Sequence, residues 1–337
     1  MVLSKPVGAH RVPLLLLLSL LLPVALVASV SVGFARVGPA EVFAALLGGG
    51  GLDAASRAII MEIRLPRACA ALVAGAALAV AGSAVQGALR NPLVSPFTMG
   101  VSSGASFGAA LAIVLGAGPS VYATMLSAFT FALLAGASSV GIARLKGVSS
   151  QSMILAGVAM MYLFSAGVTL LQYMAREWQL AELVYWIMGD LRKASWASVT
   201  LMSPALAACL PLFAYAWDLN ALMMGEEVAR SLGTNPRRVR AACVVLSALS
   251  TAIIVCSTGP IGFICLVSPH IARLLVGADH RFSMMCSALL GGLLLLLSDT
   301  VARIALMPAE LPVGVVTAAV GVPFFISLLL RARKEIW

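Results

Sequence analysis

Long apolar runs alternate along the chain with short breaks carrying charge, glycine or proline, and the pattern divides it into candidate membrane helices. A spanning helix needs about 20 consecutive, mostly apolar residues. Such runs cover residues 12–34, 66–89, 96–115, 120–143, 153–173, 199–215, 241–257, 261–276, 282–302 and 313–330. Pro66 stands where a first helical turn tolerates proline. Between the first two runs lie a short amphipathic piece, residues 41–47, and a glycine run, 48–51. Residues 176–196, with Tyr185, Trp186 and the Gly189-Asp190 turn, read as an interfacial segment. The pattern predicts an all-α polytopic membrane protein with ten transmembrane helices in one domain, residues 1–337, and both termini on the same side.

The most polar long segment, residues 218–240, interrupts this scheme. Its centre predicts a short helix over 225–233. Glu226 and Glu227 fall in the first turn, Arg230 towards the end, and Gly233 supplies the stop, as the helix dipole and a glycine C-cap favour. Asn235-Pro236 reads as a turn. Arg237, Arg238 and Arg240 then anchor the next span on the side where basic residues collect. Two polar helices lying under a bilayer form a handle for a soluble partner.

Composition agrees with the pattern. Hydrophobic residues make up 61% of the chain and charged residues 10%, against about a quarter charged in soluble domains. Mean hydropathy is +1.04. The formal charge of +9 comes from basic residues placed singly or in small groups between apolar runs, which fits topology rather than nucleic acid. Cytoplasmic flanks carry the Lys/Arg excess. Placing the N-terminus inside puts Lys5, Arg11, Arg90, Arg144, Lys146, Arg230, Arg237, Arg238, Arg240, Arg273, Arg281, Arg331, Arg333 and Lys334 there. Arg36, Arg57, Arg64, Arg67, Arg176, Arg192, Lys193 and Arg303 remain outside. The expected orientation is therefore N-in, C-in. The first apolar run exceeds a signal peptide's core of about 7–15 residues, so an uncleaved first span is expected.

Little in the sequence suggests chemistry. No Gly-x-x-x-x-Gly-Lys-Ser/Thr occurs, so any ATP is hydrolysed by a partner. Six scattered cysteines and His10, His270 and His280 form neither a metal-ligand set nor a catalytic cluster. Asp299 admits two readings, an ion pair with Arg303 one helical turn on or a proton- or ion-coupling group. His270 reads as a helix-end hydrogen-bonding residue. Ala71, Gly75, Ala79, Ser83 and Gly87 form a four-spaced stripe that lets another helix approach closely. Leu93-Val94-Ser95-Pro96 recurs as Leu266-Val267-Ser268-Pro269, which with five spans per half suggests two inverted halves.

Ordered motifs run along nearly the whole chain beyond the first span. They are Arg64-Leu65-Pro66-Arg67, Gln86-Gly87-Ala88-Leu89-Arg90-Asn91-Pro92-Leu93, Met99-Gly100-Val101-Ser102-Ser103-Gly104-Ala105, the 225–233 loop, Gly259-Pro260-Ile261-Gly262-Phe263, Ser268-Pro269-His270-Ile271-Ala272-Arg273 and Ala309-Glu310-Leu311-Pro312-Val313-Gly314-Val315-Val316-Thr317. Together they closely resemble the permease subunits of FecCD-type ABC importers for iron-siderophores, haem and cobalamin.

The resemblance implies a type II importer permease in the inner membrane. It would work as a homodimer, or with a similar chain, on two cytoplasmic ATPases that use ATP and Mg, and with a periplasmic or lipid-anchored substrate-binding protein. Carried over by position, Gly225, Glu226, Glu227, Ala229, Arg230, Leu232 and Gly233 match the helix that sits in an ATPase cleft. Arg64, Arg67 and Arg303 match basic residues that meet acids of the binding protein. Ser149 and Ser150 match the cytoplasmic gate loop, and Asn91 with Leu93 a second gate position. The chain departs from the family pattern at Gln172-Tyr173 and Arg192-Lys193. The leading expectation is a permease for a ferric-siderophore-type chelate, with haem or a corrinoid as sister readings and an ion-coupled secondary transporter as the rival class. No cofactor or catalytic residue is expected on this chain.

Overall fold

The computed structural model describes residues 10–35, 37–48, 52–116, 120–145 and 147–331. Lys5, Arg36, Lys146, Arg333 and Lys334 of the charge count and residues 49–51 of the glycine run lie outside the described residues. The helices are α1 Arg11–Ser31, α2 Pro39–Leu46, α3 Ala54–Ala58, α4 Leu65–Leu89, α5 Val101–Leu115, α6 Val121–Leu145, α7 Ser150–Met174, α8 Glu177–Ile187, α9 Trp196–Met202, α10 Pro204–Ala214, α11 Ala216–Met223, α12 Glu226–Ser231, α13 Pro236–Thr258, α14 Ile264–Val276, α15 His280–Ile304 and α16 Val313–Arg331. A π-helical stretch, Ile59–Arg64, joins α3 to α4. Among the described residues seven helices are long and apolar enough to cross a membrane, counting 54–89 and 196–214 as single helices. Three shorter apolar helices fall at the third, eighth and tenth of the apolar runs.

Every residue from 77 to 89 of α4 is buried, and α15, α13, α14 and α10 pack around it. The small-residue stripe makes this possible. A β-carbon on Gly75 would overlap the Gly291 carbonyl of α15, and one on Gly291 would overlap Gly75 in return. Gly82 meets the Cys265 carbonyl of α14 in the same way, and Gly87 meets the His280 ring. Lipid tails are as apolar as leucine, so such close fitting, and not hydrophobic exclusion, holds these helices together. α5, α6 and α7 join through Phe107, Phe131 and Phe164, whose ring centroids lie 5.1–6.3 Å apart.

Several boundaries differ from the sequence reading. The second helix begins at Ala54 and not at residue 66, with Asp53 accepting from the Ser56 amide at 3.1 Å. The π turn, in which Leu65 N donates to Ile60 O, gives the Pro66 ring room that a regular turn would deny it. α5 starts at Val101 because residues 91–100 form turns held by side chains. There Thr98 Oγ1 accepts from Ser95 N at 3.0 Å, and Ser139 Oγ donates to Met99 O at 2.9 Å. Asn235 is not in a free turn but caps α13, its Oδ1 accepting from Arg238 N at 3.3 Å. The recurring tetrapeptide does not mark equivalent places, since residues 93–96 lie in the turns and residues 266–269 inside α14.

The α4–α15 contact yields the first prediction. Gly291→Val should destabilise the fold by about 1–3 kcal/mol or more, because the backbones must part. Its check is the apparent Tm of the detergent-solubilised protein, with the surface variant Gly141→Val, which has open space around it, expected to stay at wild type.

Candidate functional site

The 218–240 segment folds as a compact unit at one end of the bundle. Gly225, with φ +118°, starts α12, and Glu226 and Glu227 occupy its first turn. The helix ends as a Schellman motif, with Gly233 N donating to Arg230 O at 3.0 Å and Thr234 N to Ala229 O at 2.9 Å. Gly233 has φ +84°, a conformation a side chain would strain. Thr234 Oγ1 donates to Asp218 at 2.8 Å, closing the loop on α11. Asn220 Nδ2 donates to Asp279 at 2.8 Å, fastening α11 to the start of α15. Ala229 is fully buried and pins α12 to the body, while Glu227, Val228, Arg230 and Leu232 face outward beside the exposed Met223 and Met224. The result is a small apolar surface ringed by charge.

The expected gate residues lie at this same end. Ser149 is exposed and caps α7, its Oγ accepting from Ser152 N at 3.1 Å; Ser150 beside it is half-buried. Asn91 Oδ1 accepts from Leu93 N at 2.9 Å, and Leu93 is exposed. Next to both positions lies Arg240, which donates to Ala88 O and Val148 O and which the sequence reading took for a membrane anchor like Arg237 and Arg238. Those two are exposed, whereas Arg240 is buried. Helical spacing carried the signal, since Pro236, Val239, Arg240 and Cys243 recur on the buried face of α13.

The opposite end holds the three arginines expected to dock a binding protein, and there the structure corrects the expectation of outward charge. Arg64, Arg67 and Arg303 are all buried and are spent on internal partners. Arg64 donates to Val30 O at 2.8 Å and Ala35 O at 2.6 Å. Arg303 donates to Ser29 O at 2.8 Å and Val32 O at 3.0 Å. Both therefore cap the carbonyl end of α1, which has no basic residue in its own last turn. Arg67 donates through Nε to Asp299 at 2.9 Å and through Nη1 to Glu310 at 2.7 Å. Asp299 also lies 3.3 Å from Arg303, the ion pair read from their spacing, though Arg303 Nε lacks hydrogen-bond geometry there. The carboxylate most suited to ion coupling is thus held between two guanidinium groups.

Near this end a cleft of about 450 Å³ is lined by Glu182, Tyr185, Trp186, Asp190, Arg192, Lys193, Ser257, Thr258 and Gly259. It contains the Arg192-Lys193 departure noted above, with Arg192 paired to Asp190 and 5.7 Å from the Tyr185 ring centroid. Among the described residues no group of His, Cys, Asp and Glu could hold a metal ion. His270 stands edge-on to Phe324, with centroids 6.4 Å apart.

Two predictions follow from these contacts. Asp299→Ala leaves buried Arg303 without a counter-charge and Arg67 with Glu310 alone, and should cost about 3–5 kcal/mol, read as a lowered apparent Tm, whereas Glu310→Gln at the half-exposed partner should cost far less. At the other end the hydrogen bond from Arg240 holds the Glu226 carboxyl below the ordinary carboxylate range. A depressed value means the contact's stabilisation is complete above the free-glutamate pKa of about 4.3 and is lost as pH falls through the lower folded value. A spin label at Glu227 should therefore keep its mobility from neutral pH down to about pH 5 and loosen only in stronger acid.

The chain as a whole has relatives among known proteins. The chain is 35% identical to the Fe(3+)-citrate import permease YfmE of Bacillus subtilis, covering 98% of this chain and 100% of that one. It is 39% identical to the hemin transport permease HmuU of Yersinia pestis, covering 82% and 84%. It is 37% identical to the vitamin B12 import permease BtuC of Citrobacter koseri, covering 94% of each. A solved inward-facing structure of a transporter assigned to the metal-chelate ABC type superimposes with TM-score 0.85 at 35% identity, covering 95% and 99%. A model of the FecCD transport family matches residues 20–331, and the chain belongs to that family of ABC importer permeases.

Proposed function

We propose that this chain is the permease of an ATP-driven importer for a ferric-siderophore-type chelate. It forms a homodimer in the inner membrane, served by two cytoplasmic ATPases and one substrate-binding protein. The observation that carries the reading is the α11–α12 unit. It is a short helix with an exposed apolar and charged face, pinned underneath by Ala229, Asn220 and Glu226, and placed beside both expected gate positions. A helix of this kind fits a cleft in a soluble protein and passes that protein's motion inward. Relatives named for iron-citrate, hemin and vitamin B12 keep haem and corrinoid as sister substrates.

Charge distribution supports ten crossings with N-in, C-in topology. The arginines at the α12 end, among them Arg90, Arg144, Arg237 and Arg238, are exposed, whereas Arg64, Arg67 and Arg303 at the far end are buried and partnered, so they add little to the charge that sets orientation. Docking of a binding protein then falls to exposed groups of that face, Lys193 and Arg176 among them, and not to the buried trio.

In proteoliposomes holding the full complex, uptake should continue when an uncoupler collapses the proton gradient, provided ATP is kept on the ATPase side. Loss of uptake under those conditions would return the ion-coupled reading. Gly233→Pro and Glu226→Arg should each lower uptake by at least about tenfold, the scale of a lost charge-assisted contact, while membrane insertion stays normal. Wild-type uptake in both variants would remove α12 from the coupling role. Binding of ferric citrate, ferric hydroxamates, haem and cobalamin to the partner binding protein decides the substrate.

A further inference from the structure

Arg240 spends three different nitrogens on three different parts of the chain. Nη2 donates to Glu226 of α12 at 2.6 Å, Nε to Ala88 O at the end of α4 at 3.2 Å, and Nη1 to Val148 O at 3.4 Å. Its side chain is 3% exposed. Each acceptor matters. Ala88 O belongs to the last turn of α4, where carbonyls lack partners within the helix. Directly after it Arg90 turns into the left-handed region, with φ 51°, towards Asn91 and Leu93. Val148 is a β-branched residue with φ 56°, a conformation that persists only where its surroundings impose it. It immediately precedes Ser149 and Ser150. A planar fork can reach three separated acceptors at once, which a lysine ammonium on a flexible stem does not reproduce.

We propose that Arg240 is the positioning residue of the coupling step: one guanidinium ties the docking helix to both gate segments, so that displacement of α12 moves the 148–150 turn and the 90–93 turn together. This rests on the importer reading above and adds to it the part that carries motion from the docking helix to the gate. Nothing else among the described residues bonds α12 to either gate segment; Arg230, its other charged partner to Glu226, lies within α12 itself.

The test uses the full permease with spin labels at two pairs of exposed sites, Glu227 with Gln151, and Leu93 with Gln151. Glu226→Gln should broaden the 227–151 distance distribution and leave 93–151 narrow, since Arg240 keeps its carbonyl partners. Arg240→Gln and Arg240→Lys should broaden both. In the reconstituted complex, uptake per ATP hydrolysed should fall by about tenfold in the Arg240 variants, the scale expected when a charge-assisted hydrogen bond is lost. Unchanged distances in Arg240→Gln, full rescue by Arg240→Lys, or a wild-type ratio of uptake to hydrolysis would each overturn the proposal. Should Arg240→Gln fail to insert, the Glu226→Gln distances decide, and a narrow 227–151 distribution there is a refutation. If the wild-type complex shows no ATP-driven uptake while the distances respond as stated, the importer reading fails and the linkage stands.

Discussion

A helix that stops inside a membrane domain leaves carbonyl groups that no water can reach, and the fold is organised by where their donors come from. Here the donors belong to distant segments. Arg64 and Arg303 cap α1, Arg240 caps α4, and Gln179 of α8 caps α5 by donating to Ile113 O at 3.0 Å and Val114 O at 3.1 Å. Each bond satisfies a group that would be costly to leave bare and at the same time fixes the position of a remote element. Packing of small residues brings the helices close, and the caps set their ends in register.

The two ends of the bundle use this device differently. At the end near Arg67, three arginines are buried and partnered, with Asp299 between two guanidinium groups and Glu310 at the margin, while Arg176 and Lys193 stay exposed. At the α12 end one guanidinium is buried and several are left exposed, so the same residue type serves both internal linkage and an outward surface.

The apolar pattern gives the order of the seven long apolar helices and the three shorter ones among the described residues, because a bilayer imposes run length directly. α12 was equally legible, since acids first, arginine late and a terminal glycine are local rules. The small-residue stripe also pointed to a real contact, at Gly75 and Gly291. What the pattern hid was the partner of each buried charge. Arg64, Arg67 and Arg303 look like surface groups when only sequence distance is known, because their acceptors lie as far off as residues 29–35 and residue 299. Arg240 was hidden by its neighbours, and only its phase on α13 separates it from Arg237 and Arg238. The turns at 91–100 escaped notice because serine and threonine hydroxyls there take over bonds that a helix would make.

The meeting of Gly75 with Gly291 also restricts how the protein changes shape. Backbones in contact over a glycine pair cannot slide without a carbonyl striking a Cα, so α4 and α15 behave as a single rigid block. α7 is held on one side only, where Gly157 meets the Thr98 carbonyl and Gly167 the Phe107 ring, while Leu155, Tyr162, Leu170 and Tyr173 are largely exposed along its length. Any change of shape in this chain must therefore carry α4 and α15 together, so that its strain falls on the turns that join this block to its neighbours.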